Sequence, residues 1–265
     1  MSAPQRSLTE PAAELTHDSY GDTWWGSVPI TVVSSRDPQY GENGYFLRAL
    51  ERQSGSLNGR SVLEIGGALS HRLAAIARYR RVEASIVDYS KAGVDASQRF
   101  FDAYGCQVEP IHSDVFALSG RSFDVVTHWG VLEHELDPAP LLAKCVELAR
   151  QAVIFTMPDI RGPSGWMWKK LAPENYARHV YHTDVSVLAT FAALGWKAKA
   201  FSWGQPFLYM QTGNDRCLLR SSLYKLQAAI DKPACMGLPY DRGVKYLPQN
   251  RGFIATPITS KGFEE

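Results

Sequence analysis

The segment SVLEIGGALS at residues 61–70 most constrains what this chain can fold into. Its first half is an apolar, β-branched run that predicts a buried strand, and Glu64 stands near the strand's end, just before Gly66 and Gly67. Glycines at that point let the backbone turn tightly and approach a ligand without a Cβ in the way. A carboxylate buried there needs hydrogen-bond donors or a cation, because an unpartnered buried charge is costly. The segment therefore predicts a strand-to-helix turn, which serves either geometry alone or a ligand site.

A regular alternation of strands and helices surrounds this turn. Strands joined by helices predict right-handed crossovers and a doubly wound, mostly parallel sheet. Ligands of such sheets bind beyond the carboxyl ends of the strands, near the reversal in strand order. The predicted strands are 61–65, 84–88, 106–111, 123–129, 151–158, 196–203 and 252–257, and the predicted helices are 43–52, 70–80, 90–105, 138–150, 184–194 and 214–231.

The fold class is therefore α/β, a Rossmann-like doubly wound sheet with a helical, aromatic-rich cap insertion. We expect residues 1–42 to form an N-terminal arm or lid and residues 43–203 to form the core. Residues 204–265 are expected to complete the same domain with a cap insertion and a final strand. A second part of the cap is predicted around residues 160–182, which are rich in Trp, Tyr and His.

Acidic residues follow three successive predicted strands. Glu64 ends the first strand, Asp88 ends the second, and Asp114 follows the third. An acid in the position of Asp88 accepts both hydroxyls of a nucleoside ribose, although it can equally cap the helix that begins at Ser90. Asp114 is suited to accept a hydrogen bond from an adenine amino group, but a lone Asp after a strand is usually a turn residue. Three acids at three strand ends favour a nucleoside-like ligand over three unrelated turns.

Charge and composition exclude several classes of function. The chain has 265 residues and a net charge of +1, so no basic surface for nucleic acid is expected and a small-molecule substrate is favoured. The four cysteines form no CxxC pair, which predicts reduced thiols and no metal site. The N-terminus lacks the apolar stretch of a secretory signal, and no apolar run is long enough for a transmembrane helix. A cytoplasmic location without integral membrane association is therefore expected, and the oligomeric state is not predicted.

Five motifs in order resemble one known family over about residues 43–200. LEIGGALS resembles the glycine loop of the class I S-adenosylmethionine-dependent methyltransferases of the small-molecule type, and IVDYS resembles their ribose-binding segment. SDVFAL is similar to the adenine segment, FDVVTHWGVLEHELDP to the fourth strand with its VLEH signature, and IFTMPD to the fifth strand. The third and fourth small positions of the loop, often glycine in the family, are Ala68 and Ser70 here.

The resemblance implies a cofactor, S-adenosylmethionine, which leaves as S-adenosylhomocysteine. It implies that the loop glycines face the methionine portion, and that Glu64 anchors either the loop or the cofactor amino group. Asp88 would bind ribose and Tyr89 would pack on adenine. Apart from the resemblance, the aromatic Tyr20 is expected to belong to an N-terminal lid. The full predicted cofactor set is Tyr20, Glu64, Gly66, Gly67, Ala68, Asp88, Tyr89, Asp114, Val115, His128 and Trp129.

Methyl transfer from a sulfonium needs alignment and water exclusion, and it needs a base only if the acceptor arrives protonated. Imidazoles titrate near neutral pH, so His128, His134, His179 and His182 are candidate bases, although His134 in VLEH is expected instead to orient a helix or backbone. The expected acceptor is O, N or C of a small, aromatic or lipid-like molecule, and the expected setting is secondary metabolism. Two alternatives stay open: a non-catalytic methyltransferase-like binding protein, and an NAD(P)-dependent oxidoreductase, although GGALS lacks the GxGxxG spacing.

Overall fold

A computed structural model of the chain describes residues 47, 50–67, 69–158, 160, 165–166, 169–170, 173–203 and 250–258. Each described strand begins and ends within two residues of its predicted position. The strands are β1 (Ser61–Ile65), β2 (Glu83–Asp88), β3 (Val108–His112), β4 (Phe123–Trp129), β5 (Ala149–Pro158), β6 (Trp196–Trp203) and β7 (Asn250–Pro257). The helices are α1 (His71–Tyr79), α2 (Lys91–Tyr104), α3 (Pro138–Leu148), α4 (Pro173–Tyr176) and α5 (Asp184–Ala193), with 3-10 turns at Val115–Ala117 and Leu132–His134. Residues 50–54 are also helical.

The seven strands form one sheet with the order β3-β2-β1-β4-β5-β7-β6. Strands β1 to β5 pair in parallel, and β7 pairs antiparallel with both β5 and β6. The doubly wound, mostly parallel sheet predicted from the sequence is confirmed, and β3 with its Pro110 lies at an edge, where the missing N–H of proline is tolerated. The order of strands reverses between β1 and β4, which is where ligands of such sheets bind.

Small polar residues fix where the helices begin. Ser70 caps α1 by accepting a hydrogen bond from the Leu73 N–H at 2.9 Å, and Ser90 caps α2 by accepting from the Gly93 N–H at 3.0 Å. Helix α2 ends at Gly105, whose φ of 63° is the left-handed conformation that favours glycine at a helix end. Ser70 lies five residues after the end of β1 and Ser90 two residues after the end of β2, so each cap fixes where the loop from its strand ends.

Side chains alternate between the two faces of the sheet, and each face has its own apolar cluster. The first face packs on α1, α2 and the helical residues 50–54, and it includes Val62, Ile86 and Ile154. The second face packs on α3 and α5 and includes Val126 and Phe155. The carboxyl ends of the strands lie between these two layers at one edge.

Several predicted segments lie outside the described residues. These are the N-terminal arm at 1–42, the cap residues 204–249 with the predicted helix 214–231, and part of the aromatic stretch at 160–182. In the described part of the chain, no helix is long and apolar enough to cross a membrane.

Candidate functional site

The loop after β1 stands at the reversal of strand order, between β2 and β4. Gly66 donates its N–H to the Val87 carbonyl oxygen at 2.8 Å, which ties the loop to the end of β2. Gly66 has a φ of 64°, and a Cβ there would lie 2.9 Å from Cγ2 of Val131, which follows β4. The backbone therefore turns in a space that only glycine fits.

Glu64 supports this loop from below. Its side chain is fully buried, and Oε2 accepts a hydrogen bond from the Ser70 hydroxyl at 2.8 Å. The same hydroxyl oxygen accepts from the Leu73 N–H, so Ser70 links the acid to the start of α1. A Cβ on Gly67 would lie 2.0 Å from Oε1 of Glu64, so the second glycine is required by the acid beneath it. The structure thus gives Glu64 a loop-anchoring position.

Burial controls the protonation of Glu64. Desolvation raises the pKa of the Glu64 carboxyl to about 8, against the lowering effects of the Ser70 hydrogen bond, the Arg72 charge and the Trp129 indole. Arg72 lies over Trp129, with its guanidinium carbon 5.3 Å from the ring centre. The acid is therefore neutral near pH 7 unless another positive charge approaches it.

Asp88 ends β2 beside the loop. It is 8% exposed, and its Oδ1 accepts a hydrogen bond from the Ser90 N–H at 2.8 Å. The helix cap itself is Ser90, so Asp88 organises the turn before α2 without being the capping residue. The neighbouring Tyr89 is 38% exposed, and its carbonyl oxygen lies 3.1 Å from Nε2 of His112.

Asp114 follows β3 and caps the 3-10 turn Val115–Ala117. Its Oδ1 accepts a hydrogen bond from the Phe116 N–H at 2.9 Å, which is the turn role open to a lone Asp. The side chain is exposed, whereas Val115 is partly buried against the apolar cluster of the second face. Asp88 and Asp114 thus lie at the ends of neighbouring strands, as predicted, and the Ser113 N–H donates to the Asp88 carbonyl oxygen at 3.0 Å.

The last residues of β4 point to opposite faces of the sheet. Trp129 lies on the face of Glu64 and Arg72. His128 is fully buried on the other face, stacked on Phe155 with ring centres 4.3 Å apart. Neither of its ring nitrogens has a hydrogen-bond partner among the described residues, and burial lowers the pKa of His128 to about 3. The structure does not bring the His128 ring to the surface of the site, where a base would have to act.

Removing His128 should change the acid stability of the protein. The ring of His128 binds a proton below about pH 6.5 in the unfolded chain but stays neutral in the folded protein. Because of this difference, the free energy of unfolding decreases as the pH falls from 6.5 towards 3. The loss amounts to about 2 kcal/mol between pH 6.5 and pH 5. We expect His128→Leu to lack this component in urea unfolding measured across that range. A pH slope for His128→Leu that is identical to that of the wild type would contradict the burial argument.

Two histidines of the segment after α4 lie against the 3-10 turn that follows β4. Nε2 of His182 lies 3.1 Å from the Leu132 carbonyl oxygen and 3.0 Å from that of Glu135, and its side chain is 5% exposed. The half-buried His179 ring lies 5.1 Å from that of His134, measured between centres. Nδ1 of His134 lies 3.3 Å from the Arg178 carbonyl oxygen, so His134 orients backbone as expected from the sequence. His182 is likewise held against backbone.

Three residues of this region were not identified from the sequence. Leu69 has a φ of 60°, a left-handed conformation that is unusual for a branched side chain. Arg72 acts electrostatically on both buried acids, Glu64 and Glu133. Burial raises the pKa of Glu133 to about 7. Glu133 lies inside VLEH and could have been singled out as an acid in an otherwise apolar stretch, whereas nothing in the sequence marks Arg72.

The structure therefore brings most of the predicted cofactor residues to one edge of the sheet. Tyr20 and Ala68 lie outside the described residues. His128 belongs to the core behind that edge. The members that meet at the strand ends are Glu64, Gly66, Gly67, Asp88, Tyr89, Asp114, Val115 and Trp129.

Residues 63–154, which run from β1 to β5 and contain all of these strand ends, match the family model described as a methyltransferase domain. This part of the chain is similar to a methyltransferase domain. A curated relative, a ubiquinone biosynthesis O-methyltransferase from Aromatoleum aromaticum, is 27% identical over an alignment that covers 53% of this chain. The chain spans 58% of the length of that relative.

Solved methyltransferase structures share the fold. A magnesium protoporphyrin IX methyltransferase from Synechocystis with bound S-adenosylhomocysteine has a TM-score of 0.59 at 14% identity, covering 93% of this chain and 99% of its own. A phosphoethanolamine N-methyltransferase from Haemonchus contortus, also with S-adenosylhomocysteine, has a TM-score of 0.54 at 16% identity, covering 85% of this chain and 60% of its own. A plantazolicin methyltransferase reaches 0.55 at 11% identity, covering 83% and 85%. The sheet and helices of this chain thus share the fold of these structures.

Proposed function

We propose that the protein transfers the methyl group of S-adenosylmethionine to O, N or C of a small metabolite and releases S-adenosylhomocysteine. One observation carries this proposal. The glycine turn on Glu64, Asp88 and Asp114 lie at three adjacent strand ends, at the reversal of strand order and within the matched methyltransferase domain. That edge is where the sheet class binds nucleoside-containing ligands.

The roles that we propose follow the positions of the side chains. Gly66 and Gly67 face the methionine portion with bare backbone, and Glu64 acts as a positioning residue that holds the loop through Ser70. Asp88 binds the ribose hydroxyls, since its carboxyl stands at the end of β2 next to that loop. This role is compatible with the bond from the Ser90 N–H, because a carboxylate accepts several hydrogen bonds.

Adenine is proposed to lie between the ends of β2 and β3. Tyr89 would pack on one face of the base, and Asp114 would accept from its amino group. Val115 would form an apolar wall, and Trp129 would stand near the sulfonium on the face of Glu64. Aromatic faces attract cations, which suits this residue to a positively charged sulfur.

The reaction needs little covalent chemistry from the protein. The cofactor supplies an electrophilic methyl group, so the protein's residues align the acceptor and exclude water. Because the His128 ring is in the core and the His182 ring is held by two carbonyl oxygens, neither is placed to take a proton from an acceptor. Of the predicted bases, we retain only His179 as the residue that could take a proton from the acceptor.

The acceptor is proposed to be aromatic or lipid-like, as in many reactions of secondary metabolism. The support comes from exposed apolar side chains in the segments that follow β3, β4 and β5 in the chain: Phe116 is 49% exposed, Leu136 51% and Trp166 63%. The similar proteins are named for ubiquinone biosynthesis, magnesium protoporphyrin IX and plantazolicin, which are different molecules. The proposal therefore relies on this chain's own side chains.

Asp88→Ala tests the cofactor proposal directly. We expect the variant to bind S-adenosylhomocysteine at least tenfold more weakly than the wild type in titration calorimetry, since it loses hydrogen bonds from the ribose to a charged acceptor. The matched control is Asp102→Ala, an exposed acid on α2 that bonds to Gln98; it should leave the affinity unchanged.

Two outcomes would contradict the proposed function. Tight binding of NADH without binding of S-adenosylhomocysteine would replace the proposal with an oxidoreductase. Binding of S-adenosylhomocysteine without methyl transfer from labelled cofactor to any component of a metabolite extract would instead favour a non-catalytic binding protein.

A further inference from the structure

Three potential metal ligands meet beside β4, although the cysteine spacing alone predicted no metal site. Glu133, His134 and His179 each offer one ligand atom, and these atoms all lie within 4.8 Å of one another. Glu133 and His134 come from the 3-10 turn after β4, while His179 comes from the segment after α4. Two imidazoles and a carboxylate form a ligand set that proteins use for divalent transition metals.

The surroundings of His134 fit this use. Nδ1 of His134 lies 3.3 Å from the Arg178 carbonyl oxygen, an arrangement in which the Nδ1–H donates and Nε2 keeps its lone pair. Histidines that bind metals commonly donate their other ring N–H to a backbone carbonyl, which fixes the tautomer and the ring orientation. The residue that supplies this carbonyl directly precedes His179, so one short segment both orients one ligand and provides another.

Glu133 is the buried member of the group. It is 3% exposed, and its Oε2 has no hydrogen-bond partner among the described residues. Buried carboxylate oxygens are normally paired with donors or cations, because leaving them unpaired is costly. A cation held between Glu133 and the two histidines would satisfy this oxygen.

Backbone contacts hold the two segments together on either side of the group. The Val180 N–H donates to the Glu133 carbonyl oxygen at 2.6 Å. The His182 ring lies within hydrogen-bond distance of the carbonyl oxygens of Leu132 and Glu135, at 3.1 and 3.0 Å. The two segments that carry the ligands therefore do not need to be brought together by the metal.

We propose that Glu133, His134 and His179 bind one divalent transition-metal ion such as Zn²⁺, with a fourth position open to water or another oxygen donor. Around tetrahedral Zn²⁺ with bonds of about 2.1 Å, neighbouring ligand atoms lie roughly 3.4 Å apart. The ligand atoms, which are now separated by up to 4.8 Å, must therefore move closer to one another when the ion binds. Rotation of the half-buried His179 ring is the simplest such movement. Arg72 is the nearby cation that acts on Glu133, and it competes with the ion.

Titration of the untagged, chelator-treated full chain with Zn²⁺ and Co²⁺ tests this site. We expect one equivalent of either ion to bind, and Co²⁺ to give visible d–d bands typical of nitrogen and oxygen ligands. His179→Ala should weaken binding on the order of 100-fold or abolish it, since loss of a ligand exceeds the effect of losing an outer partner. His112→Ala, which removes an exposed histidine from the end of β3, should bind as the wild type does.

Three results would overturn the proposal. They are absence of Zn²⁺ and Co²⁺ binding by the wild type, equal affinity in His179→Ala, and a Co²⁺–thiolate charge-transfer band that places the ion on cysteine. If His179→Ala does not fold, as judged by thermal melting, the isosteric Glu133→Gln takes its place with the same expectation. The metal-site proposal does not rest on the proposed function. The affinity for S-adenosylhomocysteine is measured separately, so either proposal can fail while the other holds.

Discussion

Replacing Gly67 by alanine is expected to destabilise the protein by about 3 kcal/mol, a large effect for the smallest possible side-chain addition. The new Cβ would lie 2.0 Å from Oε1 and 2.7 Å from Cδ of Glu64. That carboxyl cannot retreat, because it is fully buried and bonded to the hydroxyl of Ser70. The loop has to move instead, and urea unfolding measures the loss of stability. On the proposed function, calorimetry should also show that S-adenosylhomocysteine binds at least tenfold more weakly.

A second substitution in the same protein can show that the clash is the cause. In Gly67→Ala combined with Glu64→Ala the carboxyl is absent, so the two changes should be less destabilising together than their separate effects predict. The control is Gly105→Ala at the end of α2, where a Cβ meets no atom within 4 Å and only the φ of 63° opposes it. It should cost about 1 kcal/mol and leave the affinity for S-adenosylhomocysteine unchanged. Additive effects of the two loop substitutions would contradict the clash.

Relative to the wild type, replacing Glu64 by glutamine is expected to stabilise the protein by about 4 kcal/mol more at pH 8 than at pH 4.5. The folded pKa is raised to about 8, above the ordinary value of 4.5 that holds in the unfolded chain. Between those two values the unfolded state has released a proton that the folded state still holds. The wild type therefore loses stability as the pH rises from 4.5 to 8, and an amide, which does not titrate, removes that component. The glutamine can still accept the hydrogen bond from Ser70.

Denaturant unfolding at several pH values, compared between variant and wild type, isolates the contribution of Glu64. Glu133 contributes in the same direction in both proteins, so only the difference between them is diagnostic. Glu109→Gln serves as the control, because pairing with Arg121 keeps the pKa of this exposed carboxyl below its usual value. Its curve should run parallel to that of the wild type from pH 4.5 to 8. A Glu64→Gln curve parallel to the wild type would mean that Glu64 is ionised in the folded state.

Local patterns were sufficient to predict the sheet. The apolar run of SVLEI and the near-continuous run of β5 are typical of strands buried on both faces, and both strands lie where they were predicted. The positions of Asp88 and Asp114 at strand ends also followed, because the end of a strand and the start of the next helix can be located from sequence.

The sequence did not predict in which direction individual side chains point or which residues they contact. His128 and Trp129 are adjacent in sequence and both were assigned to the cofactor, but the alternation of a strand sends one into the core and the other towards Glu64. The approach of His179 to Glu133 depends on contacts across 46 positions of chain, between segments whose loops have no periodic pattern. Neither arrangement is encoded in a local motif, so only the assembled structure reveals it.

The position of β7 between β5 and β6 has a consequence for the order in which the chain can fold. Strand β6 is made some fifty residues before β7, yet among the described strands it hydrogen-bonds only to β7. During synthesis β1 to β5 can assemble as soon as they emerge, whereas β6 has to wait beside an unpaired β5 edge. A ribosome that stalls before residue 250 would therefore hold a chain in which β5 and β6 both lack their hydrogen-bond partner β7. The uncovered edge of β5 includes Phe155. In the time between the synthesis of β6 and that of β7, chaperones would have to cover that edge, or the chain could aggregate through it.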